Sequence, residues 1–253
     1  MKRVVAIGDL HAGHCLGLTP KAWQFHPTYK DLQRKLWSFY ADTLDALGPI
    51  DVLIVNGDAI DGKGDRSGGT EIIVPDLKDQ VSMAVECIAR AKAKHVVMTY
   101  GTPYHVAGGD GTDYEAMIAE AVGAKIGGHE WVDVNGVVFD VKHKIGGSSV
   151  PHGRHTAVAR ERVWNLFWSE HGESPKADIL LRSHVHYHTY QGDPDWLGMT
   201  LPALQGPGSK YGVRQCSGIV HFGLVHFDIH HKGEMTWKAH TLKFKGLVKP
   251  HTF

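Results

Sequence analysis

Aspartate and histidine residues recur at short spacing along the chain, each time just after a short apolar run. Asp9 and His11 form one such pair, His184 and His186 form another, and Asp58 follows a third run. In extended backbone, residues two apart point to the same side, so each pair can face a single cluster. Mixed carboxylate and imidazole donors suit Mn, Fe, Zn, Ni or Co better than Ca or Mg. The pattern therefore predicts a transition-metal site, in which the two oxygens of Asp58 could bridge two ions.

The apolar runs predict the elements that would position this site. Strands are predicted at 3–8, 51–55, 96–98 and 179–181, helices at 28–47, 75–93, 113–122 and 156–170, and further β-structure at 219–229 and 235–244. Asn135-Gly136 is a strong hairpin signal between two more strands. Alternation of strand and helix favours parallel strands, whose carboxyl ends open onto a common crevice. We predict an α/β fold, a four-layer sandwich of two mixed β-sheets flanked by helices.

Composition limits the remaining possibilities. The chain has 253 residues and 42% hydrophobic content, which fits one domain spanning 1–253 with a β-rich, basic C-terminal part from about residue 219. Lys+Arg and Asp+Glu both number 27, so no chain-wide positive field for nucleic acid exists. The 3 cysteines lie far apart, which excludes a disulfide framework and favours a reducing, cytoplasmic location. No apolar segment approaches membrane-spanning length, so no membrane partner is expected.

Four motifs, in this order, resemble those of the calcineurin-like metallophosphoesterase superfamily: Asp9-Leu-His11, Gly57-Asp58-Ala-Ile-Asp61, His143 and His184-Val-His186. The resemblance implies a phosphoesterase that hydrolyses P–O bonds with a hydroxide bridging two divalent ions, of which Mn is favoured and Fe, Zn and Ni are compatible. It also implies one ion on Asp9, His11, Asp58 and His186, and the other on Asp58, His143 and His184. We expect Asp61 to hydrogen-bond within the site rather than bind metal.

The third motif of that superfamily, G-N-H-[DE], is altered here. The chain reads Gly101-Thr-Pro-Tyr-His105, so Thr102 replaces the metal-binding Asn and Pro103 replaces the His that usually protonates the leaving group. Our hypothesis is that Thr102 binds the second metal weakly or through water. His105 would take over as the catalytic acid, beside Asp58 as the central metal-bridging residue.

The substrate is less constrained than the reaction. Residues in loops that could border the crevice are Lys63, Arg66, Arg154, Lys210 and Arg214 for phosphate, and Tyr100, Tyr104 and Trp131 for stacking on a base. His14 is expected at the surface. From residue 232 onward five lysines stand against one glutamate, which could touch nucleic acid. We favour a phosphodiesterase or nuclease acting on DNA. The alternatives are a phosphomonoesterase on nucleotides or phosphoproteins, and a non-catalytic, metal-bound scaffold.

Overall fold

The structure is a computed structural model that describes residues 1–106, 109, 111–148, 150–210, 213, 220–232 and 234–244, with Arg66 described in its backbone only. The strands are β1 Lys2–Ile7, β2 Val52–Asn56, β3 His95–Thr99, β4 Lys125–Gly127, β5 Glu130–Val134, β6 Val137–Val141, β7 Ile179–Arg182, β8 Thr189–Asp193, β9 Trp196–Thr200, β10 Phe222–His231 and β11 Glu234–Leu242. The helices are α1 Lys30–Leu47, α2 Leu77–Ala89, α3 Pro103–Val106, α4 Tyr114–Val122 and α5 Gly153–Glu170.

The first sheet has the strand order β11-β10-β1-β2-β3-β4. β1 to β4 run parallel, and β10 adds to β1 in the antiparallel sense. Parallel strands need crossover connections, which α1, α2 and the α3–α4 segment provide here. The carboxyl ends of β1, β2 and β3 therefore lie side by side at one edge of the sheet.

The second sheet has the order β5-β6-β7-β9-β8. β6, β7 and β9 are parallel, whereas β5 and β8 each form an antiparallel hairpin with a neighbour. The β5–β6 turn is the predicted one, with Asn135 and Gly136 both at positive φ, as a type I′ turn requires. β7 ends next to the segment that follows β6, because the backbone N–H of Ser183 donates to the His143 carbonyl over 2.8 Å.

Three apolar clusters hold the layers together. Residues of α1, α2 and α4 pack on one face of the first sheet, the two sheets pack on each other through a second cluster, and a smaller third cluster holds α5 to the second sheet. Strand residues of the first sheet are apolar on both faces because helices cover one face and the second sheet covers the other. The predicted four-layer α/β sandwich with two mixed sheets is confirmed.

Two local predictions failed or fell short. The helix predicted from residue 28 begins at Lys30 instead. Residues 28–31 have the spacing of a capping box, but the N-cap is Tyr29, and no side chain caps the helix by a hydrogen bond. The β8–β9 hairpin was not predicted, because its turn is Pro194-Asp195 and only β9 carries a buried apolar run. Among the described residues, none of the helices has the length and apolar content needed to span a bilayer.

Candidate metal centre

The loops that follow β1 and β2 run next to each other and present the first motif residues. The backbone N–H of Asp9 donates to the Gly57 carbonyl and that of His11 to the Asp58 carbonyl, each over 3.0 Å. Gly57 has a φ of 74°, and a Cβ there would lie 2.4 Å from the His143 ring. A glycine at this position therefore lets the Asp58 loop approach His143.

The backbone of this edge is unusual. In the part of the chain that the structure describes, seven non-glycine residues have positive φ, and five of them are predicted ligands: Asp9, His11, Asp58, His184 and His186. The left-handed region costs a side-chain-bearing residue roughly 1–3 kcal/mol and persists only where the surroundings enforce it. Since such residues cluster at functional sites, this concentration marks the strand-end loops as built for a task other than stability.

A first group of donor atoms comes from Asp9, His11 and His186, whose candidate ligand atoms all lie within 4.8 Å of one another. Nε2 of His11 lies 3.2 Å from Nε2 of His186, which in turn is 3.4 Å from an oxygen of Asp9. Asp9 and His11 are buried. Burial and the nearby His105 lower the pKa of His11 to about 4, which keeps its ring neutral, as a metal ligand must be.

A second group is formed by Asp58, His143 and His184, again with donor atoms within 4.8 Å. The His143 and His184 rings have centroids 5.4 Å apart. The two groups adjoin each other, because the backbone N–H of His184 lies 3.2 Å from both carboxylate oxygens of Asp9. The predicted ligands from both halves of the chain are thus brought together in two adjacent sets.

The hydrogen bonds of His143 fit a metal ligand. Its Nδ1 lies 2.8 Å from the Asn56 carbonyl, which can only accept, so Nδ1 carries the proton and Nε2 of the neutral ring has a lone pair. That Nε2 is buried without a hydrogen-bond partner, although it lies 3.0 Å from an Asp58 oxygen. With Nε2 unprotonated, two electron-rich atoms face each other in a buried site, so a cation must lie between them, either a proton on Nε2 or a divalent metal ion.

Electrostatics at this point agree with that inference. Burial opposes protonation of His143, but the Asp58 carboxylate outweighs it and raises the pKa of His143 to about 10. Burial likewise opposes ionisation of Asp58, yet His143 and other histidines hold its pKa well below the usual range. The cavity therefore favours a positive charge between ionised Asp58 and His143. The residues present fit a divalent transition metal in chemistry and in orientation.

The altered third motif surrounds Asp58. Thr102 donates its backbone N–H over 2.6 Å and its hydroxyl over 2.8 Å to Oδ1 of Asp58. A Cβ on Gly101 would lie 2.2 Å from the same oxygen, so only glycine fits there. Thr102 thus orients the Asp58 carboxylate, and its oxygen keeps lone pairs. Direct ligation by Thr102 stays a prediction.

Glu115 is a buried residue of this site that the sequence did not reveal. Its carboxylate accepts the backbone N–H of Ala59 over 3.1 Å and that of Gly101 over 2.7 Å. Glu115 therefore connects the loop that contains Asp58 to the loop that contains Thr102. Its place on α4, among ordinary helix formers, gave no signal in the sequence.

Asp61 and His105 lie on the other side of His11. Oδ1 of Asp61 accepts from Nδ1 of His11 over 2.8 Å, which confirms the hydrogen-bonding role expected for Asp61. Nδ1 of His105 lies 3.0 Å from the Asp61 carbonyl and 3.4 Å from its carboxylate. Because the carbonyl can only accept, Nδ1 donates and Nε2 of His105 is left for another partner. The Tyr104 ring packs on His105 at 4.1 Å between centroids.

The cleft above the two groups is lined by His11, His14, Asp58, Asp61, Gly64, Asp65, Ser67, Glu71, Tyr104, His105, His184, His186, Gln205 and Ser209. The surface position expected for His14 is wrong, since its side chain is 95% buried and lies 3.7 Å from Glu71. Loops after two different strands cover it: Glu71 accepts the backbone N–H of Lys210 over 2.9 Å.

The predicted substrate residues are spread around this edge. Tyr104 lines the cleft, and the exposed Lys210 reaches Thr70 from the 204–210 segment. Arg154 lies on the Tyr187 ring, with its guanidinium 4.3 Å from the centroid. Their roles, and that of Arg66, whose side chain lies outside the described residues, stay predictions. Arg214 also lies outside them. The two other predicted stacking residues are elsewhere: Tyr100 lines a neighbouring pocket and Trp131 lies in a groove beside α5.

No protein-family model and no curated protein sequence matches the chain. Among solved structures it is similar to a single mutant of Vps29 from Entamoeba histolytica, with 13% identity, a TM-score of 0.48 and coverage of 95% of this chain and 99% of that one. A novel archaeal phosphodiesterase gives 12% identity, a TM-score of 0.46 and coverage of 94% and 99%. Wild-type Vps29 from Entamoeba histolytica, complexed with Zn²⁺, has 14% identity and a TM-score of 0.44. The match covers 94% of this chain and 98% of that one.

The observed architecture can be compared with the one that the motifs of the chain imply. Two mixed sheets lie between helices, and the motif residues meet where β1, β2 and β7 end. The expectation for the fold is confirmed: the chain has two mixed β-sheets that pack on each other between helices, as the resemblance in its motifs implies.

Proposed function

We propose that the chain is a divalent-metal-dependent phosphoesterase that hydrolyses phosphodiesters, with DNA as the favoured substrate. The observation that carries the proposal is the pair of adjacent donor groups, Asp9–His11–His186 and Asp58–His143–His184, of which four members are buried and four line the cleft. Each group would hold one ion. Two bound ions would supply a nucleophilic water at neutral pH and stabilise charge on the phosphoryl oxygens.

The chain's own residues prepare this chemistry. Asp61 holds His11 in the tautomer that leaves Nε2 for metal, and the Asn56 carbonyl does the same for His143. Thr102 fixes the orientation of the Asp58 carboxylate. These contacts exist before substrate arrives, so the donor atoms need little rearrangement to bind ions.

His105 is the proposed general acid. Its Nδ1 is engaged by Asp61, so in the protonated ring Nε2–H is the proton available to a leaving-group oxygen. The carboxylate of Asp61 lies 3.4 Å from the same nitrogen. Because His105 lies two residues beyond Pro103, it would replace the missing acid from the next turn of the chain.

The charge of the cleft favours diesters over monoesters. Its described lining contains Asp65 and Glu71 but no Lys or Arg. A phosphomonoester carries up to two negative charges near neutral pH, whereas a diester carries one, so beyond the bound ions this lining offers no Lys or Arg to bind the second charge of a monoester. The Tyr104 ring beside His105 offers a face on which a nucleobase could stack. Both features support a nucleic-acid diester.

The test is a comparison of bis(p-nitrophenyl) phosphate with p-nitrophenyl phosphate, using chelated protein reloaded with Mn²⁺. We expect turnover of the diester to exceed that of the monoester and to vanish on chelation. A substrate panel of mononucleotides, cyclic nucleotides, single strands and duplexes then tests the DNA assignment. A preference for the monoester would favour the phosphomonoesterase alternative, and undiminished hydrolysis by metal-free protein would refute the proposal. Bound metal without any turnover would favour the scaffold.

A further inference from the structure

The outer face of α5 carries a concentrated apolar surface. Among the described residues ten large hydrophobic side chains are exposed, and five of them lie within six consecutive positions: Val163 at 65%, Trp164 at 50%, Leu166 at 40%, Phe167 at 48% and Trp168 at 45%. Scattered exposed apolar residues are normal, but a contiguous patch of this kind marks an interaction surface. Nothing in the metal chemistry uses it.

The same helix buries polar residues on its inner face. Arg162 donates to the Ala177 carbonyl over 2.7 Å, and Asn165 donates to the Pro175 carbonyl over 3.0 Å. These contacts fix the rotation of α5 about its axis, so the aromatic side cannot turn inward. An amphipathic helix normally faces its apolar stripe to a core, and here the corresponding core must come from outside the chain.

A groove lies beside this apolar outer face of α5. It has a volume of about 290 Å³, and its walls include Trp131, Trp164 and Trp168, with Glu173 at one end. Trp131 stacks on His129 at 4.0 Å between ring centroids. The groove also contains Lys142, Glu161 and Arg182, so this face combines apolar, aromatic and charged side chains, and a two-fold dimer would bring the same surface together from both copies.

The exposed residues of α5 are spaced so that two antiparallel copies of the helix can face each other. The exposed positions at intervals of three and four residues are Arg160, Val163, Trp164, Phe167, Trp168 and His171. If two copies of α5 cross antiparallel about a point between residues 165 and 166, Trp164 faces Phe167 of the second copy and Val163 faces Trp168. The ends then match in charge, since exposed Arg160 comes opposite the segment that contains exposed Glu170.

We propose that the chain forms a symmetric homodimer through an antiparallel contact between the outer faces of its α5 helices. A fully covered aromatic side chain buries roughly 150–250 Å², so the half-exposed rings of two copies offer on the order of 600 Å². Val163, Leu166 and the groove walls extend this toward the roughly 1,000 Å² that a specific interface needs. The ring of Phe167 packs on Trp168 at 5.2 Å between centroids, so the surface is already ordered in one copy.

Sedimentation equilibrium of the full chain tests the proposal. We expect a dimer at micromolar concentration, and we expect Phe167→Glu to raise the dissociation constant about 100-fold or more, as for a central interface residue. Phe25→Glu is the matched control, because Phe25 is 61% exposed outside the patch, and it should leave the dimer intact. Phe167 is itself exposed, so the substitution should not impair folding, which circular dichroism checks.

A charge exchange tests the antiparallel arrangement. The single variants Arg160→Glu and Glu170→Arg should each weaken the dimer by up to about fivefold, and the double variant should restore it, because surface ion pairs contribute up to about 1 kcal/mol. A monomer at 100 μM would overturn the proposal and assign the patch to a different protein. A dimer that Phe167→Glu leaves unchanged, or a double variant weaker than both singles, would overturn it as well. None of these results depends on hydrolytic activity.

Discussion

The molecule buries two clusters of charged side chains, and they are satisfied in opposite ways. Behind the second sheet, Arg182 is buried and lies 2.7 Å from Asp140 and 2.9 Å from Glu161. Lys142 adds a second cation, 2.8 Å from Glu161. At the strand-end cleft, the ion-pair partners of Asp9 and Asp58 among the described residues are histidines. The first cluster is neutralised by the permanent charges of Arg182 and Lys142, whereas the second is neutralised only when its histidines carry a proton or bind a cation.

The difference separates a structural charge cluster from a functional one. A buried carboxylate paired with a guanidinium has its charge compensated and its oxygens hydrogen-bonded, so it holds elements together. The carboxylates of Asp9 and Asp58 face histidines, which can carry either a proton or a metal ion, and the fold also holds five of the candidate ligands at positive φ. Stability effects should therefore follow substitution in the first cluster, and activity effects should follow substitution in the second.

The largest expected effect is that of Asp58→Asn. Loss of this carboxylate should lower kcat/KM for bis(p-nitrophenyl) phosphate by about 1,000-fold or more, the scale of a central electrostatic group. Stability of the metal-free protein should fall by less than that of Asp140→Asn, because the Asn side-chain oxygen can still accept from Thr102 although the pairing with His143 is lost. Metal content and urea unfolding after chelation measure both consequences. A strongly destabilised metal-free variant would show that the two clusters do not differ in kind.

Asp140→Asn should have the reverse effect, a large loss of stability with little change in activity. Removing one member of a buried ion pair costs about 3–5 kcal/mol, and Arg182 would keep only Glu161 of its two carboxylate partners, whereas activity per folded molecule should persist. Urea unfolding at pH 7 and Mn²⁺-dependent hydrolysis measure the two. A variant as stable as the wild type at pH 7 would contradict the assignment.

The pH dependence of the same pair has a defined sign. Burial opposes ionisation of Asp140, but His129 and Arg182 hold its pKa at about 2. A folded pKa below the unfolded value of roughly 3.9 contributes stability above pH 4, and that contribution is lost as the pH falls toward 2. The gap in stability between the wild type and Asp140→Asn should therefore be full at pH 6 and shrink between pH 4 and pH 2.

His105→Ala should lower kcat by about 100-fold for a diester with a poor leaving group, such as a dinucleotide, the usual scale of general acid catalysis. With p-nitrophenolate, which leaves without a proton, the loss should be small. Metal content should not change. The exposed His95 provides a control variant, His95→Ala, with no effect on either substrate. Equal losses on both substrates would assign His105 to metal binding or positioning.

The smallest effect is expected from Asp61→Asn. Loss of a carboxylate that orients a ligating histidine weakens metal affinity by about tenfold or more, so activity should recover at higher Mn²⁺ concentration. A Mn²⁺ titration of activity measures the shift, with the exposed Asp42→Asn as the matched control. Activity that no Mn²⁺ concentration restores would give Asp61 a direct role in the chemistry.

The strands, their order along the chain and the principal ligands could be predicted from the sequence, because buried parallel strands are continuous apolar runs and their ends carry the motif residues. Both donor groups could be predicted because they depend on these short motifs at the strand ends. Glu115 and buried His14 could not be predicted, since each acquires its partners from loops distant in sequence. The exposed side of α5 could not be predicted either, because the sequence contains a helix with apolar residues but not the direction in which they point.

The contact between the backbone of His184 and the carboxylate of Asp9 spans 175 positions of the chain. A ribosome makes Asp9 first and His186 long afterwards, and β1 then waits for β10 to complete its pairing on that side. A nascent chain that ends after β6 thus has only part of each donor set. If the two donor groups bind metal as proposed, capture of the ions is a late event in biosynthesis, because both groups are complete only after His186 has been made.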